Sequence, residues 1–370
     1  MFKFLPLEEE AFGLDINDSS LKIVKLRKGS GGFALVSFNE TKIAPDIIEE
    51  GVIKDEAALA KIIKSACDTV KGKKLGTKYV IASLPEEKSF LQVIQMPKMS
   101  QEELNLSVPL EAENYVPMPI DNVYLDFQVI KPIKDYLNNI EVLIVAIPKK
   151  IVDSYVSCFK KAGLVPLALE IESEAISRAL IKKETGMSPS IMVDFGENDA
   201  DFIVFSGSSI RFTSSIPISS KSLTEAVSQS LKISFKEAEE LKIEYGLLGK
   251  KSKGHSKSAE KLPDIMGPIL KNLAEQIKKY LNFYRDHSSY EYLLSDGKAE
   301  KIFFCGGGSE LKGFTDFMYK ELNIPVELGD PLVNFQSKKP KSIIKNGLLS
   351  YTSVIGLALR QTNDNCWSNK

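Results

Sequence analysis

Two aspartates stand at matching places in this chain. Asp15 ends the run Gly13-Leu14-Asp15 ahead of Ile16-Asn17-Asp18-Ser19-Ser20, and Asp194 ends Ile191-Met192-Val193-Asp194 ahead of Phe195-Gly196-Glu197-Asn198-Asp199. An apolar run follows each turn: Leu21-Lys22-Ile23-Val24-Lys25-Leu26 in the first case, Phe202-Ile203-Val204-Phe205 in the second. Turn formers between such runs predict β-hairpins. A hairpin turn that offers backbone N–H groups and hydroxyls can cradle a phosphate, and the aspartate beside it can face the phosphate's metal ion. Two such hairpins predict two related half-molecules closing on one nucleotide.

Two further features gain weight from this company. Lys301-Ile302-Phe303-Phe304-Cys305 predicts a buried strand running into Gly306-Gly307-Gly308-Ser309. Glycines between a strand and a helix let backbone approach a ligand closely, and Ser309 is a suitable N-cap. No Gly-Lys-Ser/Thr ends the triplet and no G-x-G-x-x-G surrounds it, so neither a Walker loop nor a dinucleotide fingerprint is present. Glu239 and Lys242 share a helix face at i, i+3, where they can grip a ribose and an adenine. Alone, the triplet is equally a packing turn and the pair equally a surface ion pair.

The elements that must position these residues alternate between strand and helix. An amphipathic helix is predicted over 55–70, with Ala58, Leu59, Ile62, Ile63 and Ala66 on one face, and a buried strand over 79–85. Ser100-x-x-Glu103 and Ser234-x-x-Glu237 are capping boxes that open helices. Pro109 should kink or divide the first of these. Paired strands follow over 123–129 and 140–146, then a helix over about 151–162, so residues 99–169 read as a compact α+β insert. Residues 249–261 form a polar, Lys- and Ser-rich loop ahead of a long amphipathic helix over 263–287, and a helix over 310–322 follows the glycines.

At 370 residues two domains are expected. A net charge of −1 gives no electrostatic reason for a nucleic acid or an anionic membrane as main partner. The four cysteines lack CxxC spacing and there are only two histidines, which favours reduced thiols over disulfides or a zinc site. No run of 18 apolar residues exists to span a bilayer, and the apolar stretch at 1–7 is too short for an export signal.

The order of these features resembles the actin-like ATPase superfamily: hairpin at Asp15, hairpin at Asp194, Ala238-Glu239-Glu240-Leu241-Lys242, Gly306 to Ser309, and a closing helix over 351–359. More closely it resembles the PilM family of type IV pilus assembly. Met96-Pro97, Glu102-Glu103, Glu111-Ala112-Glu113-Asn114-Tyr115-Val116-Pro117 and Asp126-Phe127-Gln128-Val129 look like the inserted subdomain that this family shares with FtsA-type proteins. The resemblance covers residues 12–360. It implies an α/β, actin-like (ribonuclease-H-like) duplicated fold: a leader at 1–11, a first half at 12–98, 170–190 and 350–361, the insert at 99–169, a second half at 191–349 and a tail at 362–370.

The resemblance also implies ATP and Mg²⁺ in the cleft. The phosphates would lie against Asn17, Asp18, Ser19, Ser20, Lys22, Gly196, Glu197, Asn198 and Asp199. Glu239 and Lys242 would meet the ribose, Gly306, Gly307, Gly308 and Ser309 the adenosine, and Asp15 and Asp194 would hold Mg²⁺ largely through water. Glu172, ahead of the second hairpin, takes the place of the residue that orients attacking water, though a glutamate there is more often a helix-dipole partner. At most weak ATPase activity is expected. The family's first loop usually reads Gly-Ser-Ser-Ser; here Asn17 and Asp18 replace the first two, and the second loop is acidic and lacks a hydroxyl. Either those carboxylates point away or nucleotide binding is weakened or lost.

For function, the resemblance implies a cytoplasmic scaffold. It would sit at the inner membrane through a PilN-like protein, whose short cytoplasmic N-terminal peptide it binds, and it would help couple pilus motor ATPases to the platform. Leu104, Val108, Tyr115, Val116 and Met118 supply more apolar surface than a small insert needs and are expected to line the peptide groove, although each is equally a core residue. An FtsA-like division protein is the alternative, disfavoured by the short polar tail; a small-molecule kinase of the same superfold ranks last.

Overall fold

The computed structural model describes residues 10–29, 32–130, 138–182, 190–249, 257–287, 301–335 and 347–360. Residues 1–9 of the expected leader at 1–11, most of the polar loop at 249–261 and the tail lie outside the described residues, while Ala11, expected in the leader, is buried in the first strand. The first half opens with β1 (Ala11–Ile16), β2 (Ser20–Gly29) and β3 (Gly32–Lys42). A small hairpin, β4 (Ile48–Glu49) and β5 (Val52–Ile53), leads to α1 (Glu56–Asp68), which Asp55 caps. Then come β6 (Lys71–Gly72) and β7 (Tyr79–Leu84). The chain next builds β8 (Phe90–Pro97), α2 (Gln101–Ala112), β9 (Val123–Ile130) and β10 (Asn139–Pro148). It returns through α3 (Lys149–Lys161), β11 (Val165–Ile171) and α4 (Glu172–Leu180).

The second half repeats the pattern with β12 (Ser190–Phe195), β13 (Ala200–Ser206) and β14 (Ser209–Ile216). Three helices follow: α5 (Ser220–Leu231), α6 (Phe235–Tyr245) and α7 (Leu262–His287). The chain then runs through β15 (Ile302–Cys305), α8 (Phe314–Leu322), β16 (Val326–Leu328) and α9 (Thr352–Arg360).

The duplication is visible in strand order. The first sheet runs β11-β7-β1-β2-β3-β6 and the second β14-β13-β12-β15-β16. In each, the hairpin strand (β1 or β12) pairs antiparallel with its successor and parallel with a later strand, β7 or β15. β1 and β12 are therefore central, with their Asp-bearing ends beside the ends of their parallel neighbours. Ligands of open α/β sheets bind beyond those ends.

The sheet pairing does not follow the expected insert boundary of 99–169. β8 pairs with β10 in a three-stranded sheet of order β8-β10-β9, while β11 pairs with β7 in the first sheet. Tyr155, Cys158 and Phe159 of α3 lie in the first half's core. The insert's own sheet and helix thus occupy 90–148. Long-range pairing decided this: β8 joins the insert's sheet and β11 the first sheet, and no local pattern says which sheet a strand will join. Pro109 lies inside α2 without dividing it.

Helix α9 belongs with the first half, where Val354, Ile355 and Ala358 pack against Val24 and Leu26. Its close seat requires two glycines. A Cβ at Gly356 would lie 1.8 Å from the Ala175 carbonyl oxygen of α4, and one at Gly13 would lie 2.6 Å from the Val354 carbonyl.

Candidate functional site

Between the halves lies a cleft of about 1400 Å³. Both hairpin turns line it, with Glu172, Glu239, Lys242 and Gly306 to Gly308. The first turn is organised by Asn17, whose Oδ1 accepts from the N–H groups of Ser19 at 3.1 Å and Ser20 at 2.8 Å. Such self-capping makes Asn a turn former. Asp18 turns toward the β4–β5 hairpin. Its carboxylate accepts from the N–H groups of Glu50 at 2.7 Å and Gly51 at 3.0 Å, two residues at positive φ. Ser19 Oγ reaches across to Glu197 Oε2 at 2.5 Å, so the two turns touch. Lys22 is buried, with Nζ 3.3 Å from Ser20 Oγ.

Behind the turns the carboxylates gather. Asp15 accepts from Ser83 Oγ at 2.8 Å and from Ser353 Oγ at 3.2 Å. Asp194 Oδ1 is buried with no hydrogen-bond partner. Burial, then Asp15 and Asp199, push the Asp194 carboxyl up to about 7. Asp199 is raised to about 6 by burial and then by Asp18 and Glu86. Burial also lifts Glu172 well above the carboxylate range, with Asp15 next in effect. Asp201 is lifted the same way, with Asp199 the second cause.

An orphaned buried oxygen amid crowded carboxylates is the environment a divalent cation relieves. The described residues contain no cluster of three or more His, Cys, Asp or Glu suited to a metal. An ion here would be held by Asp15 and Asp194 together with water, as suits Mg²⁺.

Glu239 and Lys242 meet as expected, at 2.8 Å, but Lys242 is only 4% exposed. Its Nζ also donates to Ser220 O, Ser220 Oγ and Thr224 Oγ1, at 3.0, 2.8 and 2.7 Å. The lysine thus ties α6 to α5 at the cleft wall, and burial lowers its pKa. Gly306 sits at φ +81°, and a Cβ there would strike Asp194 Oδ1 at 2.1 Å. One at Gly308 would strike the Phe195 ring at 2.5 Å. The triplet therefore presses backbone against the second hairpin. Ser309 departs from expectation: it caps no helix, its Oγ donates to the Cys305 carbonyl at 2.5 Å, and it is buried away from the cleft lining. Ser309 lies within a short 3-10 turn over Gly307–Glu310, and α8 starts only at Phe314 with Gly313 as its N-cap.

The five insert residues divide. Leu104, Val108 and Val116 are buried in the insert's own core, with Ile94, Val142 and Ile144. Leu104 and Val108 face the sheet from α2, and Val116, just beyond the helix, packs into the same core, so the three are covered and do not line an open groove. Tyr115 and Met118 are exposed, at 42% and 36%, as are Leu106 at 74% and Leu110 at 69%. Sequence reasoning missed these last two, since periodicity shows that a helix is amphipathic but not how wide its covered face is. It also missed the seam between insert and first half. There Tyr124 of β9 donates to Asp153 of α3 at 3.0 Å, and the Lys149 ammonium lies 5.8 Å from its ring. Glu86 and Glu87, beyond the end of β7, were missed too; a pair of acids directly after a buried strand was the available signal.

A second junction joins the insert to the other half. Glu141 of β10 and Arg211 of β14 form a fully buried ion pair, and Arg211 Nε also donates to Ser206 O at 2.9 Å. Burial raises the Glu141 carboxyl, opposed by the guanidinium.

Comparison with known proteins assigns this architecture. The family model for type IV pilus assembly protein PilM matches residues 13–362. The chain belongs to the PilM family. A chain of the solved PilM–PilN type IV pilus biogenesis complex is similar to it, with 26% identity and a TM-score of 0.80 over 96% of this chain and all of that one. MreB5 of Spiroplasma citri, solved with AMPPNP, shares the actin-like fold at 13% identity and a TM-score of 0.59, over 96% of this chain and 97% of that one. The cell division protein FtsA of Pseudomonas aeruginosa is 24% identical over 217 residues, 55% of this chain and 49% of that protein. The chain thus spans about half the length of the curated relatives it matches. Like other PilM-family members it is an actin-like pilus assembly protein. No helix among the described residues is long and apolar enough to cross a membrane.

Proposed function

We propose that this PilM-family protein is an adaptor on the cytoplasmic face of the pilus platform. It binds the short cytoplasmic N-terminal peptide of a PilN-like membrane protein and carries a nucleotide in its cleft. The observation that carries the partner is the likeness to a chain solved in a PilM–PilN complex, end to end. Membrane association then comes through the partner, and contact with the pilus motor ATPases is part of the same reading. For the docking site, the reading favours the seam where β9, an outer strand of the insert's sheet, faces α3. An outer strand offers main-chain groups to an extended peptide, and Tyr124 with Lys149 offers a side-chain pocket. The exposed α2 face at Leu106 and Leu110 is the competing surface.

Nucleotide binding rests on the orphaned Asp194 Oδ1, the glycine backbone pressed against it and the two facing turns. When a nucleotide is bound with Mg²⁺, the ion supplies the positive charge that offsets the carboxylates and the phosphates. Asp15 and Asp194 would hold the ion together with water, and Glu172 would be the group that orders a water, with burial and the nearby Asp15 raising its carboxyl and so weakening it as a base. The test is calorimetry of the full chain against the partner's N-terminal peptide, with Tyr124→Ala and with Leu106→Asp/Leu110→Asp. Loss of binding in the first variant alone supports the seam. Loss in the second alone moves the site to α2, and no binding by the wild type rejects the adaptor reading.

A further inference from the structure

The first turn presents four donors at the cleft mouth: the N–H groups and the hydroxyls of Ser19 and Ser20. All four end on oxygens of this chain. Asn17 Oδ1 accepts both N–H groups and lies 3.2 Å from both hydroxyls. The Ser19 hydroxyl also donates to Glu197 Oε2 at 2.5 Å, and this carboxylate comes from the opposite half. Its own loop is held from behind. The carbonyls of Gly196 and Glu197 accept from Ser220 N at 3.0 Å and Lys221 N at 3.1 Å, the first two residues of α5. The reach of Glu197 to Ser19 is therefore set by a helix and not by a free loop.

An anionic oxygen lodged between two hairpin turns, accepting a short charge-assisted bond from a serine hydroxyl, has the chemistry of a phosphate oxygen. We propose that Glu197 stands in for the terminal phosphate between the two turns, so that the site selects a nucleoside diphosphate over a triphosphate. This rests on the nucleotide reading above. A triphosphate must bring a second anion to the place Glu197 holds and displace its bond to Ser19, in a cleft that also contains Asp199 and Glu87. Asp18 makes no bond across the cleft, because its carboxylate is engaged by Glu50 and Gly51, but its charge adds to that felt by Asp199. A diphosphate leaves the Ser19–Glu197 bond in place, and the halves stay joined. The ligand is thus a resident diphosphate and the joined state the resting one, which suits a scaffold better than a turnover enzyme.

The experiment is calorimetric titration of the full chain, as wild type, Glu197→Ala and Glu197→Gln, with Mg·ADP and with Mg·ATP. Glu197 is exposed on the rim, so the fold tolerates both changes, which melting curves check. The wild type should bind ADP about tenfold tighter than ATP, the equivalent of one charge-assisted hydrogen bond. Glu197→Ala should bring the two nucleotides level or favour ATP, chiefly by strengthening ATP. Glu197→Gln, which keeps an acceptor and removes the charge, should fall between. A wild type that prefers ATP, or an ADP-to-ATP ratio unchanged in Glu197→Ala, overturns the assignment of Glu197 and leaves nucleotide binding standing. No binding of either nucleotide by any of the three proteins overturns both.

Discussion

At the scale of residues, the cleft carboxylates carry the clearest consequence. Asp194 has a buried oxygen without a donor and a carboxyl raised to about 7. A carboxyl raised on folding binds a proton in the folded chain at pH values where the unfolded chain has lost it. Each such group therefore reduces stability as pH rises between the two values. For Asp194 and Asp199 that window runs from the ordinary aspartate range to about 7 and about 6. Melting temperature of the nucleotide- and metal-free protein should thus fall between pH 5 and pH 8, and millimolar Mg²⁺ should flatten the slope. Asp194→Asn should raise stability at pH 8 by about 2 kcal/mol, because it removes a buried uncompensated charge, and change little at pH 5. A denaturant titration at the two pH values checks this; equal effects would place the charge elsewhere. Lys242→Ala should cost about 1–3 kcal/mol, since it removes the ammonium that the Ser220 and Thr224 hydroxyls accept from and leaves Glu239 with the Thr224 hydroxyl but no cation. It should also weaken Mg·nucleotide in the same calorimetric assay.

Elements are joined here by close backbone contact and by buried ion pairs, Glu141–Arg211 and Glu170–Arg178 among them. Gly356 of α9 lets α4 approach until any Cβ would overlap the Ala175 carbonyl. Gly356→Ala should cost upward of 3 kcal/mol, because both helices are held by surrounding core and neither can retreat. A control at the exposed Gly163, where a Cβ meets nothing but φ is +81°, isolates the smaller backbone term. Glu141 and Arg211 pose a different problem. Removing one partner strands a charge, so Glu141→Ala should cost about 3–5 kcal/mol, while the paired change Glu141→Leu/Arg211→Met should recover most of it. Chemical denaturation of the three variants decides between a pair that stabilises and one that fixes how insert and second half meet.

For the whole molecule, the insert touches both halves: Tyr124 meets Asp153 on one side and Glu141 meets Arg211 on the other. Any change in the angle between the halves must therefore be felt at the seam proposed for the peptide. A ligand shifts that angle only as far as it prefers one closure state. Nucleotide should alter the affinity of the PilN-like peptide by about fivefold or more, and peptide should alter nucleotide affinity by the same factor, as linkage requires. Two calorimetric titrations, each ligand with and without the other, measure both factors. The paired change at Glu141 and Arg211 should reduce them together, and peptide affinity indifferent to nucleotide would show the seam to be rigid.

The sequence by itself determined the parts whose causes are local. Alternating apolar runs around Asn17-Asp18-Ser19-Ser20 and Glu197-Asn198-Asp199 make hairpins wherever they fold. The capping boxes at Ser100 and Ser234 appear as written. The glycines at 306–308 announce close backbone approach, and the ordered set, through family resemblance, carried the actin-like fold and the pilus-assembly reading. Tertiary structure alone decided what depends on partners far along the chain. That the Asp18 carboxylate is held by the β4–β5 hairpin follows from N–H groups 32 and 33 residues away. That Leu104, Val108 and Val116 are core follows from a sheet closed by β8, which no local pattern separates from the first half. The Ser19–Glu197 contact spans 178 residues and the Glu141–Arg211 pair 70. Side-chain direction and pairing are set by which surfaces meet, and a linear pattern specifies surfaces without saying what covers them.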